Sequence, residues 1–253
     1  MSEKVNVRGV FFDSFTMEET VDCLCDRLDK KLPTAVYTPN AEIVQACVED
    51  KCLYAVINSA EVVIPDGIGV IKAARICKTP LKEKVAGVTV GERLIERVSK
   101  MPAYSIYFLG GKPGIAESAA EKMREKYPGV RIVGCHDGYF KKTGAENDAV
   151  VAAINQSGAA IIYVFLGAPT QEKWIYDNRD KLNATMYLGL GGSVDIYAGC
   201  AKRAPEIFIK LGLEWFYRLC REPWRIGRMM KLPKFYFGTW IYHIRNRRNS
   251  KRG

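Results

Sequence analysis

Short apolar runs alternate with amphipathic helical patterns along the chain, and this alternation limits the fold more than any other feature. The runs, interpreted as strands, are VNVRGVFF, TAVYT, EVVIP, YSIYFLG, VRIVGC, AAIIYVFLG and TMYLGLG. The helical patterns lie at residues 16–30, 41–59, 67–77, 89–100, 113–127, 145–156 and 170–181. Strands that are apolar on both faces are typical of parallel sheets covered by helices on both sides. The alternation therefore predicts an α/β fold with a Rossmann-like, mostly parallel sheet.

Charge is distributed unevenly and divides the chain into two parts. The net charge is +10 over 253 residues. The segment from Arg218 to Gly253 contains eleven basic residues and one acidic residue, whereas residues 1–217 contain 27 of each sign. A balanced segment needs no polyanionic partner, but a strongly basic one attracts anions. We predict a Rossmann-like core at residues 1–199 and a helical, basic, aromatic-rich appendage at residues 200–253.

The cysteines and the hydropathy pattern indicate the compartment. Eight cysteines occur without a CxxC pair, a zinc-ligand spacing or a disulfide framework. We therefore predict reduced thiols and no metal site. The N-terminal stretch has no apolar signal region, and no later window offers about 18 uninterrupted apolar residues. The sequence thus predicts a cytoplasmic protein without a spanning helix.

Polar and small residues follow five of the predicted strands. Ligands of such sheets bind beyond the carboxyl ends of the strands, so these residues are candidates for one site. Taken singly, each has a structural explanation, because Asn40 and Asp66 suit helix N-caps and glycines suit tight turns. Their coincidence at five strand ends favours a binding site. The residues are Thr38 and Asn40, Asp66 and Gly67, Gly110 and Gly111, Gly167 and Gln171, and Gly191, Ser193 and Asp195.

The loop GGKPG at residues 110–114 suits an anion weakly. Its glycines expose backbone N–H groups just before a predicted helix, whose N-terminus adds positive potential. The spacing matches neither a P-loop nor a dinucleotide fingerprint. It is compatible with a nucleotide diphosphate at this edge and gives no support to hydride chemistry.

The chain resembles the WecG/TagA/CpsF family of bacterial glycosyltransferases from about residue 5 to about residue 240. The likeness rests on these segments, in this order: TPNAEIV, IPDGIGV, VAGVT, FLGGKPG, VFLGAPTQEKW, GLGGSVDIYAG, RAPEI and LGLEWFYRLCREPWRIGR. The resemblance implies an inverting transfer that needs neither metal nor cofactor. The segments are most like those of the wall teichoic acid branch, which moves N-acetylmannosamine from a UDP-sugar donor to undecaprenyl-diphosphate-linked GlcNAc. The expected product carries a β linkage to the C4 hydroxyl.

The same resemblance implies catalytic roles for three strand-end residues. Inversion needs a base to accept the proton of the acceptor hydroxyl, and the family pattern assigns this role to Asp66. Thr38 and Asn40 would orient the substrates. Gln171 and Asp195 match positions that line the pocket. A glycosidase would need a pair of flanking carboxyl groups, and no motif places such a pair.

The resemblance also implies how the leaving diphosphate is stabilised. No DxD motif is present to hold Mg²⁺ or Mn²⁺, so the developing charge falls to cations and backbone dipoles. Guanidinium groups match phosphate oxygens bidentately, whereas Lys84, which stands where relatives are expected to have arginine, is a point charge. The residues expected to bind the diphosphate of the donor are Lys84, Gly110, Gly111, Arg218, Arg225 and Arg228.

The end of the chain mixes basic and aromatic residues. Such a mixture suits the headgroup layer of an anionic membrane, and we predict peripheral association with the inner face of the plasma membrane and no nucleic-acid partner. Stacking on nucleic acid, or a helix that only covers the core, would give a similar pattern. The predicted membrane contacts are Phe235, Phe237, Trp240, Arg245, Arg247 and Arg248.

Two alternatives to the main interpretation stay open at this point. A related transferase that uses UDP-N-acetylmannosaminuronic acid or UDP-glucose would carry the same motifs. A non-catalytic α/β protein that binds nucleotides or nucleic acid through its basic tail belongs to another class. Self-association into a homo-oligomer is also left open.

Overall fold

The computed structural model describes residues 4–221, 223 and 226–249. Within the helices, the description covers the backbone but not the side chains of Lys210, Arg218, Arg228, Met229, Asn246, Arg248 and Asn249. Arg225 lies outside the described residues altogether. The roles predicted for the side chains of Arg218, Arg225, Arg228 and Arg248 therefore fall outside the described part of the chain.

The first predicted strand is a hairpin. Strands β1 (Lys4–Val7) and β2 (Val10–Asp13) pair antiparallel and form a separate two-stranded sheet. Arg8 and Gly9 both have positive φ, 53° and 95°, as a two-residue turn between twisted strands requires. The prediction of one continuous strand from VNVRGVFF is wrong, because the Arg-Gly pair reverses the chain in its middle.

The main sheet has six strands, and all its neighbouring strands run parallel, in the order β4-β3-β8-β7-β5-β6. Five of them, β3, β4, β5, β7 and β8, are buried at every residue, which explains their uninterrupted apolar sequences. The predicted parallel α/β sheet is confirmed. The strands are β3 (Thr34–Tyr37), β4 (Val62–Val63), β5 (Ile106–Gly110), β6 (Ile132–His136), β7 (Ile161–Phe165) and β8 (Met186–Gly189).

Helices cover both faces of this sheet. One layer contains α2, α3, α4, α7 and α8, and the other contains α1, α5, α6 and α9. Successive residues of β3 alternate between the layers: Ala35 and Tyr37 join the first core and Val36 the second. The helices are α1 (Met17–Asp29), α2 (Ala41–Glu49), α3 (Lys51–Asn58), α4 (Ile68–Ile76), α5 (Gly87–Val98), α6 (Ile115–Lys126), α7 (Ala145–Ser157), α8 (Thr170–Asn178) and α9 (Ser193–Tyr197).

Two predicted helices end earlier than their patterns indicate. The pattern at residues 41–59 forms α2 and α3, because the Asp50 side chain accepts hydrogen bonds from the N–H groups of Cys52 and Leu53 and starts a new helix. The pattern at residues 170–181 forms α8 and then a 3₁₀ turn at Arg179–Lys181.

The C-terminal segment, defined here as residues 200–253, is mostly helical among its described residues. It contains α10 (Glu206–Lys210), α11 (Glu214–Arg221), α12 (Ile226–Met229) and α13 (Lys231–Asn249). Helix α13 packs on α2 and α4. No helix within the described residues combines the length and the hydropathy needed to cross a bilayer. The boundary near residue 200 stays a prediction.

Phe235 anchors α13 to the core and does not face a membrane. Its side chain is 0% exposed and belongs to the same apolar cluster as the hairpin. The Arg8 guanidinium donates to the Phe235 carbonyl oxygen over 3.2 Å and lies 5.7 Å from the centre of its ring. Lys234 pairs with Glu49 on α2 over 2.6 Å, which holds the same turn of α13 in place. The prediction of Phe235 as a membrane contact is therefore wrong.

Candidate active site

A cleft of about 380 Å³ lies above the carboxyl ends of β4, β3, β8 and β7. The loops after these four strands contribute to its lining, as do the loop before α5 and the C-terminal segment. Eight residues predicted from the sequence meet in this cleft: Thr38, Asn40, Asp66, Gly67, Lys84, Gln171, Gly191 and Ser193. The C-terminal segment contributes Gly212, Glu214, Trp215, Leu232 and Tyr236.

Asp66 reaches across the cleft to the start of α5. The half-buried carboxylate accepts a hydrogen bond from the Gly87 N–H, with Oδ2 and N 3.5 Å apart. The positive end of a helix favours an ionised carboxylate, which is the form that a general base needs. The N-cap of the next helix, α4, is Gly67 at φ 92°, and no side chain caps it. The alternative explanation, in which Asp66 caps the helix that follows it, is therefore wrong.

Asn40 both caps a helix and lines the cleft. Its Oδ1 accepts from the N–H groups of Glu42 and Ile43 at 2.9 and 3.1 Å, so the capping explanation is correct for this residue. The Nδ2 group donates to no other described residue and is available to a ligand. Thr38 donates from Oγ1 to the Gly189 carbonyl oxygen over 3.3 Å. That bond turns the Thr38 side chain toward the neighbouring strand end.

The Gln171 amide holds one of the cleft loops. Its Oε1 accepts from the Gly191 N–H over 2.7 Å, and its Nε2 donates to Glu172 Oε1 over 2.9 Å. Gly191 has φ 52°, in the left-handed region where glycine is the favoured residue. Gln171 is only 3% exposed. The side chain predicted to bind substrate thus also fixes the backbone of the loop that follows β8.

Sequence reasoning missed Glu172, which stands behind Gln171. It is 1% exposed, and its Oε2 has no hydrogen-bond partner among the described residues. Burial raises the pKa of the Glu172 carboxyl from 4.5 to about 7, against the opposing effect of the bond from Gln171. Glu172 precedes Ile175 by three residues and so shares the buried side of α8. A carboxylate on the apolar side of a predicted helix was the signal that could have identified Glu172.

Lys84 meets the C-terminal segment inside the cleft. Its Nζ lies 2.8 Å from Glu214 Oε2, and the two side chains are only 20% and 21% exposed. Arg203 approaches the other oxygen of the same carboxylate, with Nε 3.9 Å from Oε1. Sequence reasoning singled out Lys84 but neither Glu214 nor Arg203. The signal for Arg203 was the RAPEI motif, and the signal for Glu214 was the segment LGLEWFYRLCREPWRIGR, since both carry the family likeness.

Three residues with a predicted role in substrate binding do not line this cleft, and neither does the strand-end candidate Gly167. Gly110 is the last residue of β5 and Gly111 follows it, and a Cβ on Gly110 would lie 2.5 Å from the carbonyl carbon of Phe165. Close packing against β7 therefore requires glycine at position 110. Asp195, on α9, stands behind the cleft residue Gly192, where an added Cβ would come 3.9 Å from its Oδ2. The substrate roles of these three residues stay predictions.

The exposed residues of the C-terminal segment include part of the predicted membrane surface. Phe237 and Trp240 are 66% and 59% exposed and lie three residues apart on α13. Arg245 and Arg247 are exposed on the same helix. A second exposed apolar group, which the sequence analysis missed, lies on α10, α11 and the turn between them: Ile207, Leu211, Trp215 and Phe216.

A metal site is not evident in the described part of the chain. No group of three or more His, Cys, Asp or Glu side chains among those residues is arranged to hold an ion. Catalysis without a metal stays a prediction.

Comparison with known proteins places the chain in a family. The sequence model of the family described as glycosyl transferase WecG/TagA/CpsF matches residues 5–249. A relative from Bacillus subtilis (strain 168) is 35% identical over 208 residues, which is 82% of this chain and 79% of the relative. A relative from Staphylococcus aureus (strain MW2) is 31% identical over 236 residues, 92% of this chain and 91% of the relative. Both bear the name N-acetylglucosaminyldiphosphoundecaprenol N-acetyl-beta-D-mannosaminyltransferase. The chain therefore belongs to the WecG/TagA/CpsF family of glycosyltransferases.

Proposed function

We propose that this protein transfers N-acetylmannosamine from UDP-N-acetylmannosamine to the C4 hydroxyl of GlcNAc carried on undecaprenyl diphosphate. The observation that carries the proposal is the meeting of Asp66, Thr38 and Asn40 in one cleft. The two relatives that bear the name of an N-acetylmannosaminyltransferase align with this chain over 79% and 91% of their own lengths. The cleft volume of about 380 Å³ falls within the range of small-molecule sites.

Asp66 is the general base of the proposed reaction. The acceptor oxygen attacks C1 of the donor sugar from the side opposite the UDP group, so the configuration at C1 inverts. The bond from C1 to the diphosphate oxygen breaks, and UDP leaves with that electron pair. As the new C–O bond forms, the hydroxyl proton passes to the Asp66 carboxylate. The contact with the N-terminus of α5 supports this role, because it favours the ionised carboxylate before the proton arrives.

Thr38 and Asn40, which line the same cleft as that carboxylate, position the substrates. Asn40 presents Nδ2 as a donor while its Oδ1 stays with the helix cap. Thr38 has an acceptor oxygen on a side chain already oriented by Gly189. Hydrogen bonds of this kind hold the attacking hydroxyl in line with C1, and orientation of reactants supplies a large part of enzymatic rate enhancement.

Cationic side chains stabilise the UDP group as it leaves. Lys84 and Lys72 line the cleft, and we assign the remaining positive charge to Arg218, Arg225 and Arg228, in keeping with the family pattern. The C-terminal segment would thus complete the active site of a core at residues 1–199. The presence of Glu214, Trp215, Leu232 and Tyr236 in the lining of the cleft supports this arrangement.

The same segment would bring the enzyme to its lipid-linked acceptor. Exposed Phe237 and Trp240 would insert at the headgroup level, and Arg245 and Arg247 would meet anionic lipid on the inner face of the plasma membrane. Trp215 belongs to the second exposed apolar group, is 39% exposed and also lines the cleft, so that second group reaches the cleft itself. This continuity supports entry of a membrane-held acceptor from that side.

UDP release with defined substrates tests the proposal. The protein is incubated with UDP-N-acetylmannosamine, UDP-N-acetylmannosaminuronic acid or UDP-glucose, each with and without a short-chain GlcNAc-diphosphate lipid. We expect release only with the first donor and only with acceptor present, and NMR of the product should show the β linkage. If UDP is released with another donor instead, the protein is a transferase of that donor's sugar. Salt-sensitive oligonucleotide binding without turnover would support the non-catalytic alternative.

A further inference from the structure

We propose that Lys84 and Arg203 form an anion subsite for the donor diphosphate, and that the Glu214 carboxylate occupies this subsite until the donor replaces it. The inference rests on the proposed function, since it concerns the diphosphate of a UDP-sugar. It assigns roles to Arg203 and Glu214, which the proposed transfer does not use.

The two oxygens of Glu214 face two different cations. Oε2 lies 2.8 Å from Lys84 Nζ, and Oε1 lies 3.9 Å from Arg203 Nε. Lys84 comes from the loop before α5, Arg203 from the segment before α10, and Glu214 is the first residue of α11. A carboxylate held between two cations from separate segments has the arrangement in which proteins also bind phosphate oxygens.

The Arg203 side chain has a hydrogen-bond donor without an acceptor in this arrangement. Its Nε is buried, and it donates no hydrogen bond to another described residue, because 3.9 Å is too long for one. A buried N–H group without an acceptor is unfavourable. A diphosphate carries more oxygens over a greater length than a carboxylate, so we expect it to bond to both Lys84 and Arg203, whereas Glu214 Oε1 stays 3.9 Å from Arg203 Nε.

The position of Glu214 makes it a competitor of the donor. Glu214 and Lys84 both line the cleft that contains Asp66. A carboxylate that stayed beside Lys84 would repel a diphosphate and would occupy the cation that the diphosphate needs. Replacement of one anion by another keeps the two cations neutralised in both states. The exchange also favours the more highly charged anion once it arrives.

Calorimetric titration of the full-length protein with UDP tests this exchange. Glu214→Gln removes the competing charge and keeps the side-chain shape, so we expect UDP to bind about 5-fold more tightly, the size of effect of one partly exposed ion pair. Glu125→Gln is the matched control, because Glu125 is an exposed glutamate on α6 that does not line the cleft, and its change alters the net charge equally. We expect its UDP affinity to stay within about 2-fold of the unmodified protein.

Arg203→Gln should weaken UDP binding by about 5-fold or more and leave uridine binding unchanged, because uridine has no phosphate. Arg203→Lys should recover part of the loss, which separates lost charge from misfolding. Glu214→Gln with equal or weaker UDP binding would overturn the inference, as would an unmodified protein that binds no UDP. UDP release with acceptor is measured separately. If transfer occurs and these shifts are absent, only the inference fails. If the shifts occur without transfer, the proposed function fails.

Discussion

Glu172→Gln should remove a pH-dependent loss of stability. Glu172 is buried on α8, where its Oε1 accepts from Gln171 Nε2 over 2.9 Å, and burial raises its pKa from 4.5 to about 7. The folded protein therefore keeps this proton up to about pH 7, whereas the unfolded chain releases it near pH 4.5. The folded state binds more protons than the unfolded state between these values, so the free energy of unfolding falls as pH rises through this window.

The size of this loss follows from the two pKa values. Each unit of difference in pKa corresponds to about 1.4 kcal/mol, so ionising buried Glu172 costs about 3 kcal/mol of stability above pH 7. The cost vanishes well below pH 4.5, where both states hold the proton. Glutamine cannot ionise. Relative to the unmodified protein, the variant should therefore gain about 2 to 3 kcal/mol in free energy of unfolding between pH 5 and pH 8.

Urea unfolding followed by tryptophan fluorescence measures this difference at several pH values. Glutamine places an amide NH₂ where Oε2 has no hydrogen-bond partner among the described residues, which adds a constant cost of about 1 to 3 kcal/mol. The test is therefore the change with pH and not the absolute stability. Glu125→Gln, an exposed glutamate on α6, is the control and should show no such change. A difference between Glu172→Gln and the unmodified protein that stays constant from pH 5 to pH 8 would refute the reasoning.

Three further predictions concern the site and the membrane surface. Asn40→Asp keeps the capping oxygen of α2 and removes the Nδ2 donor, so turnover should fall about 10-fold or more with an unchanged melting temperature. A loss of stability in parallel with the loss of turnover would show that Asn40 serves only as a helix cap. EDTA should not change turnover, and recovery of lost activity by added Mg²⁺ or Mn²⁺ would contradict metal-independent transfer. Joint replacement of Phe237 and Trp240 by Ala should weaken liposome binding and leave turnover with a soluble acceptor unchanged. By contrast, Phe235→Ala should lower the free energy of unfolding, measured in urea, by about 3 to 5 kcal/mol. Unaltered liposome binding in the double variant would remove α13 from the membrane surface.

The sheet was predictable because five of its six strands, all but β6, are buried at every residue and carry uninterrupted apolar residues. The hairpin was not predicted, although Gly9, at φ 95°, was an available turn signal, because the other turn residue, Arg8 at φ 53°, is of a type that rarely adopts positive φ. Helix α13 carried a signal that was not used. Phe235 and Thr239, four residues apart, are both buried, whereas Phe237 and Trp240 lie on the exposed side.

The site was predictable in part, because the strand-end rule identifies loops but not the order of the strands. That order places β4, β3, β8 and β7 side by side under the cleft and leaves β5, with Gly110 and Gly111, beyond it. The contact between Lys84 and Glu214 joins residues 130 positions apart. No local pattern indicates such a pair, and it follows only from how the C-terminal segment lies on the core.

Turnover of Asp66→Asn tests the central claim most directly. The asparagine keeps the size of the side chain and cannot accept the hydroxyl proton, so turnover of UDP-N-acetylmannosamine with a soluble acceptor should fall by about 10² to 10⁴. UDP binding measured by calorimetry should persist, which shows that the site is still formed. Asp148→Asn, an exposed residue on α7, is the matched control and should retain full turnover. Near-normal turnover of Asp66→Asn would contradict the account, because the base would then have to be another group.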